Sequence, residues 1–229
     1  MNRIYYFSGS GKSMRLTEHF SKKLDIPVYD ITKELSDNEL ISETAIVVFP
    51  VYCQNLPDPI VDFLPKIKTE HIAFAVVYGR KSYGNVIEDA SNLINAEFIG
   101  GVCVPCGHSF LDEKDGFDFD ALSPFIERIN NPKPATIEKG RKSFYADFVP
   151  AKRTQLGVKI KRSDKCIHCG KCISDCPIKA MTDNGPNENC IRCLRCVKNC
   201  PEDALSFKTL WFMKIYLKNG LKNEYKFYL

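Results

Sequence analysis

Eight of the chain's eleven cysteines fall between Cys166 and Cys200, in two copies of one spacing. Cys166, Cys169, Cys172 and Cys176 lead into Pro177, and Cys190, Cys193, Cys196 and Cys200 lead into Pro201. Such density in a short secreted chain would read as a disulfide framework. Here the thiols are confined to one segment of a 229-residue chain, at the close spacing of metal ligands. A segment this small cannot bury an adequate apolar core by itself, so the metal would be its core and removing it should unfold the segment.

The repeated CxxCxxCxxxCP spacing resembles the bacterial-type ferredoxins that carry two iron–sulfur clusters. That resemblance implies two [4Fe-4S] clusters, each held by three closely spaced thiolates and a fourth that crosses over from the other copy. The implied sets are Cys166, Cys169, Cys172 and Cys200 for one cluster, and Cys190, Cys193, Cys196 and Cys176 for the other. Paired zinc sites are the alternative, but a zinc ribbon has no use for the Cys-Pro that ends each copy.

At the other end, "YYFSGSGKSMRL" (5–16) admits three phosphate-loop readings. Gly11, Lys12 and Ser13 spell the end of a nucleoside triphosphatase loop, yet its leading glycine is replaced by Tyr6, and no aspartate follows "TAIVVFP" to help hold magnesium. Gly9 and Gly11 begin a dinucleotide fingerprint with Asp30 at the ribose distance, but its third glycine falls on Met14. The pattern [ST]x[ST]Gx[ST] fits throughout, with Ser8, Ser10, Gly11 and Ser13 between an apolar run and a helix expected over 12–24. A phosphate monoester there would meet free backbone N–H groups, the positive end of the helix dipole and hydroxyl donors. This resembles the FMN phosphate loop of flavodoxins. A Ser/Gly turn that caps an ordinary helix is the alternative.

Through residue 130, "RIYYF", "PVYDI", "TAIVVFPVY", "HIAFAVVYG" and "FIGGVCVP" alternate with helical patterns. The alternation predicts an α/β doubly wound sheet of five parallel strands, covered on both faces because "IVVFP" and "IAFAVV" are apolar throughout. Ligands on such sheets bind beyond the carboxyl ends of the strands. The candidate cofactor residues are therefore Ser8, Gly9, Ser10, Gly11, Lys12 and Ser13 for the phosphate. For the flavin ring they are Pro50, Val51, Tyr52, Cys53, Gln54 and Asn55, with Tyr78, Gly79, Tyr83 and Gly84. Tyr52 and Tyr83 are the stacking candidates. Cys103 and Cys106 form a CxxC, but Cys103 sits within a strand, so a buried thiol and a loop thiol are expected in place of a redox pair. His108 reads as a loop residue rather than a proton donor.

The chain thus resembles a fusion of a flavodoxin-like domain (1–130) with a small α+β 2[4Fe-4S] ferredoxin domain (165–209), of a kind found in anaerobic bacteria. A basic linker (131–164), with a short helix expected in "KSFYADFVP", joins them, and an amphipathic helical tail (210–229) follows. The resemblance implies an electron-transfer protein with FMN and two [4Fe-4S] clusters, serving a redox protein donor or acceptor. No catalytic residue stands out. A flavin-dependent reductase of NAD(P)H or a small acceptor ranks below it, as does an FMN-free docking domain. The first domain carries 12 basic and 19 acidic side chains and residues 131–165 carry 10 and 3, so the linker is expected either to be drawn to the acidic domain, which could lay the ferredoxin unit against it, or simply to be solvated. Its basic stretch lacks interleaved aromatics and matches no nucleic-acid-binding motif, so no nucleic acid is expected. With no leader pattern and no apolar run near membrane-spanning length, a soluble cytoplasmic protein is expected. The tail's lysines at 214, 218, 222 and 226 oppose apolar residues, which suits a membrane surface or partner, or simple packing back on the protein.

Overall fold

The computed structural model describes the chain except residues 112–115, 141, 144–145, 147–149 and 219, together with the side chains of 150–153. In the first domain β1 (Arg3–Tyr6), α1 (Lys12–Leu24), β2 (Val28–Asp30), β3 (Ile41–Pro50), α2 (Asp58–Phe63), β4 (Lys68–Tyr78), α3 (Val86–Ser91), β5 (Glu97–Pro105) and α4 (Ser123–Asn130) follow one another. The five strands are parallel in the order β2-β1-β3-β4-β5. That is the flavodoxin-like doubly wound order.

The period of two along each strand sorts the core into two layers. Ile4, Ile46 and Val48 pack with Leu16 and Phe20 of α1 and Phe125 and Ile129 of α4. Their neighbours Tyr5, Val47 and Phe49 pack on the other face with Ile60 and Phe63 of α2 and Ile87 and Ala90 of α3. Cover on both faces is why these strands are apolar without alternation.

The second unit comprises α5 (Pro150–Gly157), β6 (Val158–Arg162), α6 (Lys171–Ser174), β7 (Met181–Thr182), β8 (Gly185–Pro186), α7 (Arg195–Lys198) and β9 (Leu205–Thr209). β6 pairs antiparallel with β9, and β7 with β8. Its buried apolar residues are few and small for a domain: Val158, Ala180, Met181, Leu194, Ala204 and Leu205. Most of "KSFYADFVP" lies outside the described residues. No helix among the described residues is long and apolar enough to cross a membrane.

The tail corrects two expectations. Only its first part is helical, as α8 (Trp211–Lys218), and β10 (Lys226–Tyr228) then adds a sixth strand, antiparallel to β5. The lysine spacing suggested an amphipathic helix running to 226 with an interruption at Gly220; instead the helix ends ahead of Gly220, which at φ 63° turns the chain, and the alternating "YKFY" that follows finds an open sheet edge. Tyr228 is buried against one core layer and Phe227 packs on the other. The strand is fastened by the Tyr78 hydroxyl donating to Glu224 O at 2.7 Å and by a Lys226–Glu138 ion pair at 2.5 Å. Tyr228→Ala should destabilise the first domain by about 3 kcal/mol, the usual cost of removing a buried aromatic ring. Urea unfolding of the purified protein, followed by circular dichroism, measures it.

Candidate redox site

Two hollows in the second unit gather the cysteines. One is lined by Cys166, Cys169, Cys172 and Cys200, the other by Cys176, Cys190, Cys193 and Cys196. Each hollow therefore takes three thiols from one copy of the motif and the fourth from the other copy. Local backbone accomplishes this: His168 and Arg192, inside the CxxC pairs, and Gly170 and Leu194, before the short helices, all adopt positive φ between 55° and 72°. Equivalent amides then point at the fourth thiols, with Ala180 N donating to Cys176 Sγ at 3.2 Å and Ala204 N to Cys200 Sγ at 3.3 Å.

Burial, and then the neighbouring Cys190 and Cys176 thiols, raise Cys193 to about 11. Burial and the thiols of Cys193, Cys190 and Cys176 raise Cys196 to about 12. Thiols so placed become thiolates when a cation compensates them. Each hollow offers four thiols, three from one copy and the Cys-Pro cysteine of the other, and that all-thiolate donor set fits a [4Fe-4S] cluster.

In the first domain, Ser8 Oγ accepts from Gly11 N at 3.2 Å and Met14 N at 3.3 Å and so caps α1. Ser8 does the work of a helix cap. Ser10 and Lys12 instead line a cleft at the carboxyl ends of the strands. The Lys12 ammonium is buried there and donates to Gly107 O, in the loop after β5. Ser13, 1% exposed in the first turn of α1, has a hydroxyl with no hydrogen-bond partner. Ser13 does not itself line the cleft, but a buried hydroxyl without a partner in the first turn of a helix fits an anion at that N-terminus.

Pro50, Val51, Tyr52, Cys53, Gln54 and Gly79 also line this cleft. Tyr52 and Asn55 bridge across a tight turn whose central residues, Cys53 and Gln54, both have positive φ (52° and 67°). Non-glycine residues in that conformation are strained, and such strain concentrates at ligand-binding loops. Asn55 turns away, donating Nδ2 to Ala146 O at 2.8 Å. Tyr78 and Tyr83 do not line this cleft; their rings pack edge-on with centroids 5.2 Å apart, Tyr78 within the core and Tyr83 against it. Gly84 does not line it either; its φ is 60° and an added Cβ would meet Gln54 O at 2.6 Å. Cys103 and Cys106 belong to opposite core layers and cannot pair, although Cys106 reaches the cleft wall.

Sequence reasoning missed the far wall. Ile191, Arg192 and Cys193 of the second unit and Met213 and Tyr216 of α8 close the same cleft. Arg195 Nε donates to Gly9 O at 2.7 Å and its Nη2 donates to Ser8 O, so the second unit holds the phosphate loop by its carbonyls. Gly9 permits the approach, since a Cβ there would meet Cys193 Cβ at 2.8 Å as well as the Tyr52 hydroxyl. The signal was present in the repeat: the second copy has Arg192 and Arg195 where the first has His168 and Lys171. The lining carries Lys12, Lys81 and Arg192 and, among the described residues, no carboxylate.

Comparison with known proteins adds to this geometry. The family of 4Fe-4S binding domains matches residues 160–182 and 187–206. The chain thus joins a domain of flavodoxin-like strand order to a segment that matches the 4Fe-4S binding-domain family. Among solved structures, the flavodoxin of Streptococcus pneumonia TIGR4 is 18% identical, with 57% of this chain and 97% of that one aligned at a TM-score of 0.44. A short-chain flavodoxin associated with a PDU bacterial microcompartment is 14% identical, covering 57% of this chain and 95% of that one at 0.43. A flavodoxin from the domain Archaea is 14% identical, covering 57% and 98% at 0.39. The strand order, not these scores, carries the fold assignment. No curated protein sequence matches the chain. A flavodoxin-like fold fused to an iron–sulfur domain is an electron-transfer composition.

The contact between domains is testable by substitution. Arg195→Ala removes two charge-assisted hydrogen bonds, about 3 kcal/mol of docking together. Gly9→Ala forces the same surfaces apart by steric clash. Both variants should keep the wild-type iron content yet show faster trypsin cleavage within residues 131–157, read by gel electrophoresis; unchanged cleavage would show that the units are held elsewhere.

Proposed function

We propose that the chain is an iron–sulfur flavoprotein that passes electrons between two [4Fe-4S] clusters and FMN. One observation carries this reading: Ser10 and Lys12 of the phosphate loop and Cys193 of the second cysteine set line the same cleft. When bound, the clusters supply one-electron steps and the flavin a two-electron store. The cysteine sets gathered in the two hollows would hold the clusters. Ser10, Ser13, Lys12 and the N-terminus of α1 would hold the phosphate, while Tyr52 and the backbone of residues 50–54 and Gly79 would border the ring. Arg192, Lys81 and Lys12 make the cleft electropositive and favour an anionic cofactor.

The two cysteine sets have different outlooks. Cys193 lies against the first domain, whereas Cys169 is exposed and Ile167 beside it is 63% exposed. A redox protein donor or acceptor would meet the exposed set, leaving the covered set to face the flavin. A second reading, a first domain that docks the ferredoxin unit without FMN, draws on the Tyr52 hydroxyl, which crowds Gly9 in the phosphate loop. Flavin content decides between them.

Protein purified anaerobically should contain about eight irons and eight acid-labile sulfides, with one FMN per chain. Two zinc ions would overturn the cluster assignment, and intact clusters without flavin would favour the docking reading. Ser10→Ala combined with Ser13→Ala should weaken FMN binding by about 1.5–3 kcal/mol per lost hydroxyl contact. Flavin bleaching after rapid cluster reduction should be first order and independent of protein concentration. Proportionality to concentration would show that the two domains serve separate partners.

A further inference from the structure

Helix α8 packs by one side only. Leu217 is buried, Met213 reaches the cleft, and Lys81 donates to Tyr216 O at 2.6 Å. The other side is bare: Trp211 is 73% exposed, Ile215 54% and Phe212 44%. Leu210 and Leu156 extend this apolar surface, and Leu210 N donates to Gly157 O at 2.9 Å, which ties α8 to the end of α5. The pairing of β6 with β9 places Lys159 opposite Lys208 next to it. Lys159, Lys161, Lys208, Lys214, Lys218 and Lys222 are all exposed. The segments that contribute these residues, 156–161 and 208–222, contain no aspartate or glutamate.

We propose that this face binds the surface of an anionic lipid bilayer, with Trp211, Phe212 and Ile215 entering the headgroup region and the surrounding lysines contacting lipid phosphates. Large apolar side chains exposed to this degree, ringed by cations with long aliphatic stems, are the composition of an interfacial anchor. The charge argues for the occupant: juxtamembrane lysines are drawn to anionic headgroups, and tryptophan favours the interface. An acidic soluble protein would be drawn by the same charge, but it would leave side chains that protrude this far in need of matching pockets. A fluid headgroup layer accommodates them without any. This surface is separate from the cysteine hollows, and the inference stands whether or not FMN occupies the cleft.

The experiment is co-sedimentation of the full-length, cluster-loaded protein with vesicles of phosphatidylglycerol or of phosphatidylcholine. The protein should pellet with phosphatidylglycerol and stay in the supernatant with phosphatidylcholine. Trp211 is the chain's single tryptophan, so its emission should move to shorter wavelength on the anionic vesicles alone. Lys214→Glu with Lys218→Glu should lower partitioning about tenfold or more, and high salt should do the same. Phe212→Ser with Ile215→Ser should also release the protein while leaving its iron content and the Trp211 reporter in place. No pelleting on phosphatidylglycerol, or equal pelleting of both variants, overturns the proposal. A complex with an acidic redox protein that shields Trp211, without vesicle binding, would assign the face to a protein instead.

Discussion

Arg195 is the hinge pin of this architecture. Its guanidinium reaches from the first residue of α7, between Cys193 and Cys196, to the carbonyls of Ser8 and Gly9, so a single side chain registers the second cysteine set against the loop before α1. The absence of a side chain at Gly9 then lets Cys193 and Tyr52 close to contact. Everything proposed about internal electron transfer depends on this closeness, since separate placement of the two domains would leave the cleft with one wall.

The linker contributes differently from its charge. Lys142 pairs with Asp89 at 3.6 Å and Lys139 with Glu88 at 4.0 Å, so the basic segment does lie on the acidic domain. Ion pairs at or near the surface are worth little singly, about 0–1 kcal/mol, and salt screens them. The partly buried contacts through Arg195, whose acceptors are neutral carbonyls, are less exposed to screening. Gln54 Oε1 accepts from Ser143 N at 2.9 Å and Asn55 from the same loop donates to Ala146 O, which binds the linker to the cleft's own turn. Charge thus guides the path of the linker, while hydrogen bonds to backbone fix the docking.

Much of the first domain was legible in the sequence because its signals are local. The period of four in Leu16, Phe20 and Leu24 marks α1 to its boundaries, and continuous apolar runs mark strands covered on both faces. Cysteine spacing likewise anticipates which thiols share a hollow. Loop position alone does not reveal that the Tyr83 ring packs edge-on against Tyr78. The tail was misread because a lysine period of four says nothing about an open β5 edge, which exists only once the sheet is assembled. The far wall of the cleft was invisible for the same reason: contacts between residues 9 and 195 are set by tertiary docking and leave no periodic trace.

One trace did exist, and it bears on how the molecule works. The two cysteine copies are equivalent in backbone, down to paired positive-φ residues at 168 and 192 and at 170 and 194. They differ in side chains. Gly170 meets nothing and sits near exposed Cys169, whereas Leu194, in the same strained conformation, is 1% exposed. A leucine tolerates left-handed backbone at a cost of about 1–2 kcal/mol, a cost its burial offsets. Arg192 is likewise buried, with Nε donating to Val158 O at 3.1 Å, where His168 is exposed. A repeat that keeps its backbone symmetry while one copy turns apolar and arginine-rich toward a domain, and the other stays open to solvent, has unequal ends by construction. Nothing in the cysteine spacing imposes that inequality. It arises from the residues between the cysteines, which determine which cysteine set faces inward and which meets the outside.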